Sequence, residues 1–293
     1  MIAASEESAY TLGMPELPEL EVVREVLQRR VIGRRIEAVE VSPTGGPLIV
    51  RDLTRDGLER ALTGATFTEV KRRGKFLLFA VAPHPPAEPL YLVINLKLTG
   101  RLQLAAATEK RLPKTHVVFT LSGADDLRYV DRKSMGQMYL TRAIDRVPDY
   151  GNLGPEPLGV SLATFRERLR AFRGELKGIL TRGEFIAGIG NAYADEILWT
   201  ARLHPYRKRT QLASDEVDRL YQAVQTTLLD AIEKVRAEMG EQIHLEPRDF
   251  MSVHMKTGEP CPRCGAPISL VGANQRLTNF CRACQPGGLI KGM

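Results

Sequence analysis

Leu20, Val23, Val26 and Leu27 recur three and four residues apart, the spacing that lines one face of a helix. Pro18 stands in the first turn of that stretch, where its missing N–H costs nothing, and Gly33 marks a stop. From about residue 34 to 141 the period shortens. Residues 66–71, 75–82, 90–96, 116–121 and 127–130 are short runs rich in β-branched and aromatic side chains, with turn-forming clusters at 83–89 and 122–126 between them. This spacing predicts a β-sandwich or barrel-like domain. Residues 147–159 are dense in Pro and Gly and read as a linker. Helical periodicity follows. Ser161 is placed to cap a helix reaching about Phe172, and a short helix is expected over 175–181. Another runs from Asn191 to about Thr200. Ser214 is placed to cap a long amphipathic helix carrying Val217, Leu220, Tyr221, Val224, Leu228, Ile232 and Val235, which Gly240 ends.

The pattern divides the chain into an extension over 1–13, a β-sandwich domain over 14–146, a helical domain over 147–249 and a small C-terminal segment over 250–293. That is an α+β class. The length of 293 residues suits two domains with an appendage. Lys and Arg total 41 against 35 for Asp and Glu, a formal net charge of +6. The balance suits a polyanionic partner without itself establishing nucleic acid. No apolar run has the length of a bilayer span. Residues 1–13 lack the basic and apolar regions of a secretory signal, so the expected location is cytoplasmic, with no membrane partner.

All four cysteines lie in the last segment, as Cys261-Pro-Arg-Cys264 and Cys281-Arg-Ala-Cys284, with sixteen residues between the pairs. Two C-x2-C knuckles joined by a hairpin-length spacer supply the four thiolates of a tetrahedral zinc site. The segment is too small to bury a core, so one structural zinc per chain would supply its folding energy. Four thiolates leave no open position for catalysis. Arg276 lies in the spacer. It either clamps a phosphate or belongs to a solvated hairpin tip, and spacing does not separate the two.

Three other places carry candidate chemistry. Gly188-Ile189-Gly190-Asn191 joins two helical patterns. Such a turn can seat a phosphate against free helix N–H groups, although by itself it is more simply a tight turn with an Asn cap. Met14-Pro15-Glu16-Leu17-Pro18-Glu19 reads either as a charged helix N-terminus or as something sharper. If Met14 were the start and were removed, Pro15 would carry a free secondary amine. An α-amino group has a pKa of roughly 8, so a good part of it is nucleophilic near neutrality. It could then attack C1′ of a deoxyribose as a Schiff-base lysine attacks a carbonyl, with the carboxylates moving protons. Lys75 follows Gly74 at the head of a strand; alone, it is an exposed strand-edge lysine.

Taken together, MPELPE, the RRGKFLLF run around Lys75, LGPEPLG, GIGNAYADEILW with its following His-Pro, and CPRCG with RLTNFCRACQ resemble the bacterial formamidopyrimidine-DNA glycosylase family, which includes endonuclease VIII. The resemblance covers nearly the whole chain from Met14, and Leu17 favours the formamidopyrimidine branch. It implies an N-terminal β-sandwich, a helix-two-turn-helix domain and a zinc-binding β-hairpin, with DNA in the cleft between domains. It implies a monomeric repair enzyme, nucleoid-associated in a bacterium, that flips oxidised purines out of damaged double-stranded DNA, removes them and cleaves the abasic site by β,δ-elimination. Pro15 would be the nucleophile, Glu16 the proton donor and acceptor, Glu19 a supporting residue and Lys75 a lesion contact. Asn191 and Arg276 would hold phosphate. Cys261, Cys264, Cys281 and Cys284 would hold zinc.

The chain departs from the family in three places. The Met, Arg and Phe that fill the void left by the flipped base align with Leu98, Lys133 and Met135, which lack an aromatic ring for stacking. Residues 241–260 are short and lack the Gly-Thr-rich lid over 8-oxoguanine. Thirteen residues precede Met14, and an internal Pro15 has no amine. The alternative is therefore a damaged-DNA-binding protein of the same fold with impaired chemistry. A zinc-ribbon protein acting in transcription or on RNA would explain the tail but give MPELPE no role.

Overall fold

The computed structural model describes residues 13–85, 88–272 and 277–287. They form two compact units, one of residues 1–151 with 235–247, the other of 152–234 with 248–293.

The first unit opens on α1 (Leu17–Arg30). Its start is set locally. Pro18 lies in the first turn, and the Glu19 carboxylate accepts the Glu16 backbone N–H at 2.9 Å. Leu17, Leu20, Val23, Val26 and Leu27 are all buried, so the expected stripe is the face that packs. On another face Glu21 accepts from Arg72 at 2.7 Å, tying the helix to the sheet below. Burial acts to raise the Glu21 carboxyl, but its bonds to Arg24 and Arg72 outweigh that and hold it below the usual range.

Nine strands follow: β1 (Ile36–Val41), β2 (Val50–Asp52), β3 (Thr66–Arg73), β4 (Phe76–Ala82), β5 (Leu90–Asn95), β6 (Gly100–Ala106), β7 (Thr115–Leu121), β8 (Asp125–Asp131) and β9 (Gln137–Thr141). The single-turn helices α2 (Gly46–Ile49) and α3 (Leu58–Leu62) flank β2. The strands make a four-stranded sheet in the order β1-β7-β8-β6 and a five-stranded sheet in the order β2-β9-β5-β4-β3. Every pairing is antiparallel except β2 with β9. Phe67 and Phe79 of the larger sheet and Phe119 of the smaller meet with ring centroids 5.0 and 5.9 Å from Phe67, so the core lies between the sheets.

The expected strand runs fall in β3, β4, β5, β7 and β8. Strands β1, β2, β6 and β9 were not anticipated. Their signals are weak for physical reasons. β6 opens on Gly-Arg and buries Arg101 and Gln103, β2 has three residues, and β1 buries only Ile36. Residues 235–247 belong to this unit because Arg236 binds Glu25 of α1 through two bonds of 2.8 and 2.9 Å and Glu241 pairs with Arg30.

The second unit is helical: α4 (Leu162–Ala171), α5 (Leu176–Leu180), α6 (Asn191–Thr200) and α7 (Ser214–Met239), whose residues from 235 on belong to the first unit. Ser161 caps α4, its hydroxyl accepting the Thr164 N–H at 3.2 Å. At α7 the expected Ser214 cap is displaced. Ser214 is already helical, and Glu216 instead accepts the Ala213 N–H at 2.9 Å. Gly240 ends α7 with φ +54, a left-handed conformation that suits glycine. Phe165, Phe172, Phe185 and Tyr221 form an edge-to-face cluster in its core. β10 (Ser269–Val271) and β11 (Thr278–Phe280) make the C-terminal hairpin. Among the described residues no helix is long and apolar enough to cross a membrane.

Candidate functional site

In the first unit, Pro15 and Glu16 lead directly into α1, whose start fixes both. Pro15 is buried, and Glu16 and Glu19 are 2% and 1% exposed. Gly74 and Lys75 make the two-residue turn between β3 and β4, with Gly74 at φ +56. Lys75 therefore sits at the hairpin tip, just before the strand that was expected to begin with it. The turn brings its Nζ to 3.5 Å from Met14 Sδ. Residues 61 apart in sequence, an N-terminal motif and a hairpin lysine, thus meet in one place.

Arg101 is a residue of this site that the sequence did not announce. Its guanidinium donates to the Gly13 carbonyl at 2.9 Å and the Gly100 carbonyl at 2.7 Å, and pairs with Glu246. It is 8% exposed, so a buried cation fixes the backbone immediately ahead of Met14. In the chain as it stands, the Pro15 nitrogen is a tertiary amide, neither donor nor nucleophile.

Leu98 lies on the loop between β5 and β6. Lys133 and Met135 lie on the loop between β8 and β9. The strands β6 and β8 pair with Gly100 opposite Asp131, which sets the two loops side by side. Leu98 is half-buried, Lys133 is exposed, and Met135 is 50% exposed.

In the second unit Gly188 takes φ +90 and Gly190 is the N-cap of α6, so Asn191 is the first helical residue rather than the cap. Its side-chain amide donates to the Leu277 carbonyl at 3.0 Å. Arg276, the neighbour of Leu277, lies outside the described residues. Lys177 reinforces the contact, donating to the Leu277 carbonyl and the Thr278 hydroxyl at 2.9 Å each and pairing with Asp195 at 2.6 Å. Glu196 accepts the backbone N–H groups of Ser252, Val253 and His254. Two buried carboxylates of α6 thus fix it against the C-terminal segment, another feature hidden in the sequence.

The four cysteine sulfurs lie within 4.8 Å of one another. Cys261 to Cys284 is 3.9 Å and Cys264 to Cys281 is 3.5 Å. A disulfide requires about 2.05 Å, whereas thiolates at roughly 2.3 Å from one tetrahedral ion stand about 3.8 Å apart. The donor set therefore fits a metal. Burial acts to raise the Cys261 thiol, but the Trp199 indole N–H, at 3.4 Å, and the backbone N–H groups of Arg263 and Cys264 bring it to about 6. Burial and the neighbouring thiols push Cys284 up to about 12. Cys261 thus ionises readily while Cys281 and Cys284 resist, as thiols crowded together without a cation do. Trp199, the only tryptophan, is covered by the Arg263 guanidinium at 4.0 Å.

Residues 14–138 match the formamidopyrimidine-DNA glycosylase N-terminal domain, 153–241 its H2TH domain, and 258–287 the zinc finger found in FPG and IleRS. A formamidopyrimidine-DNA glycosylase of Symbiobacterium thermophilum is 38% identical over 93% of this chain and 90% of its own. That of Heliobacterium modesticaldum is 39% identical over 93% of this chain and 100% of its own. A crystal structure of Lactococcus lactis Fpg with DNA containing an abasic site superimposes with a TM-score of 0.81 at 31% identity, covering 93% of this chain and 100% of that one. MutM in complex with DNA containing carbocyclic 8-oxo-G gives 0.80 at 32%, with the same coverage.

Proposed function

Because the chain belongs to the formamidopyrimidine-DNA glycosylase family, we propose that the residues gathered at the start of α1 carry out its reaction. The protein is a DNA glycosylase for oxidised bases and a lyase for the abasic sites it makes. What supports the assignment of residues is one observation. Lys75 Nζ reaches Met14 Sδ beside Pro15, Glu19 accepts the N–H of Glu16, and the family match begins at residue 14.

In the proposed sequence Pro15 acts as the chain terminus. Its amine forms a bond to C1′ of the damaged nucleotide as the C1′–base bond breaks, and the base leaves with the proton that the amine gives up. Glu16 gives a proton to the sugar ring oxygen, the ring opens, and the lone pair of nitrogen completes an iminium. Glu16, now a carboxylate, takes a C2′ proton and the 3′ phosphate is expelled; loss of the C4′ proton then expels the 5′ phosphate, and water hydrolyses the iminium, releasing the unsaturated aldehyde and freeing Pro15. Glu19 orders the helix start, and Lys75 holds the lesion or its phosphate.

Leu98, Lys133 and Met135 fill the duplex void, while Asn191 and Arg276, of the second unit, hold phosphate. The ion among the four cysteines is taken to be zinc, held for structure alone, one per chain. The substrate is damaged duplex DNA, on which the protein is taken to act as a monomer. Retention of residues 1–14 favours a second reading, a protein that binds damaged DNA without cutting it.

Duplex DNA carrying one formamidopyrimidine lesion tests the reading. Protein beginning at Pro15 is expected to release the base and leave a one-nucleotide gap with phosphate on both sides. An intact strand after prolonged incubation would refute it. In the same assay Glu16→Gln should slow turnover by about 100- to 10,000-fold, the range for loss of a positioned acid–base group.

A further inference from the structure

Beneath the loops that carry Leu98, Lys133 and Met135 lies a buried carboxylate with no part in the chemistry above. Asp131, the last residue of β8, is 0% exposed. Its Oδ1 accepts the Thr99 hydroxyl and the Lys133 N–H, the latter at 3.2 Å. Its Oδ2 accepts the Gly136 N–H at 2.8 Å and the Tyr129 hydroxyl at 3.3 Å. Thr99 belongs to the first loop; Lys133 and Gly136 belong to the second. The Thr99 hydroxyl also accepts the Lys133 N–H, at 3.1 Å, so one side chain bridges the loops directly. His116 closes the base, its Nε2 2.9 Å from the Asp131 carbonyl oxygen.

Tyr129 packs the same joint by shape. A Cβ on Gly136 would stand 1.6 Å from its hydroxyl, and a Cβ on Gly100 would stand 2.4 Å from it. One phenol is therefore wedged against Gly136 of the second loop and Gly100, where the first loop enters β6, so close that neither position admits a side chain. Burial, then the charge of Asp131, push the phenol well above its ordinary pKa, so it remains a neutral donor.

We propose that Asp131 is a positioning residue that locks the two void-filling loops into one rigid unit, with Thr99 and Tyr129 as its partners. A buried carboxylate is costly unless its lone pairs are met. Here the donors that meet them come from both loops, so neither loop can move without exposing that cost. Leu98 and Met135 are thereby presented to DNA prearranged, and the ordering is completed before binding. The inference rests on the reading that these side chains enter the duplex.

The test uses the full fold beginning at Pro15, in the variants Asp131→Asn and Thr99→Val. The second keeps the side-chain shape and removes only the hydroxyl that bridges the loops. Three quantities are read: base excision from duplex DNA, lyase activity on single-stranded abasic DNA, and fluorescence of 2-aminopurine paired opposite the lesion. Single strands hold no void to fill. Displacement of a reacting arrangement by about 1 Å can cost on the order of 100-fold. Both variants are expected to lose at least about tenfold in duplex excision and to delay the 2-aminopurine rise, with single-strand lyase activity within about twofold of the parent. Equal loss on both substrates would reduce Asp131 to a fold-stabilising residue and overturn the inference, as would no loss on either. Leu98→Ala with Met135→Ala is run beside them. If that pair leaves duplex excision unchanged, the void-filling reading has failed. If it impairs excision while Asp131→Asn and Thr99→Val do not, only the positioning role has failed.

Discussion

Protein that begins at Pro15 will cut abasic duplex DNA, and the chain that retains residues 1–14 will not. The difference is one of bonding. As an internal residue Pro15 carries a tertiary amide, whose nitrogen lone pair is delocalised into the carbonyl. As a terminus it carries a secondary amine that is partly unprotonated near neutrality. Position adds to the effect. Residues 13 and 14 occupy the space beside the nitrogen, held there by Arg101 on the Gly13 carbonyl and by Lys75 against Met14 Sδ. Their removal opens the approach to Pro15 and takes one partner from each of these two cations. Nicking rates should differ by at least about 1000-fold, roughly 4 kcal/mol in barrier. Equal rates would mean that another amine performs the chemistry, with Lys75 the first to examine.

Loss of the metal should have the second-largest effect. The buried apolar cluster of the C-terminal segment consists of Val253, Cys261, Ile268 and Cys281, and two of the four are proposed ligands. Structural zinc contributes on the order of 10–16 kcal/mol in isolated zinc-finger peptides, far more than so small a core. Chelation, or Cys264→Ser, should therefore unfold the hairpin. The Asn191 and Lys177 contacts to the Leu277 carbonyl would go with it, and Arg276 would lose its mount. Affinity for abasic duplex DNA is expected to fall at least about tenfold, the scale of one to two lost charged contacts. Trp199 reports the event directly, since its indole N–H faces Cys261 Sγ at 3.4 Å. Its fluorescence should change in step with metal release. Undiminished DNA affinity in metal-free protein would remove Arg276 and the hairpin from the binding surface.

Much of this site is legible along the chain because its parts are local. Two C-x2-C knuckles state a metal site through spacing alone, and Pro-Glu-Leu-Pro-Glu states a helix start. The α1 stripe and the Ser161 cap also follow from short-range rules. What escaped notice depends on register. Asp131 matters because β6 and β8 pair with Gly100 opposite it, and nothing in the run Gly-Arg-Leu-Gln marks β6 as a strand. Arg101 looks like a surface residue in sequence, yet its partners are Gly13 and Glu246, 88 and 145 positions away. Asn191 was readable as a cap because Asn favours that position; the structure gives the cap to Gly190 and turns the amide toward Leu277. Long-range polar partners follow from topology, and local pattern does not encode them.

Borohydride reduction in the presence of abasic duplex DNA, followed by peptide mapping of the covalent product, asks whether Pro15 is the nucleophile. Protein beginning at Pro15 should give one stable protein–DNA adduct, with the sugar fragment on the Pro15 nitrogen, and the chain retaining residues 1–14 should give none. An adduct on Lys75 or any other amine, or no adduct from the Pro15-initiated protein, would contradict the proposed chemistry.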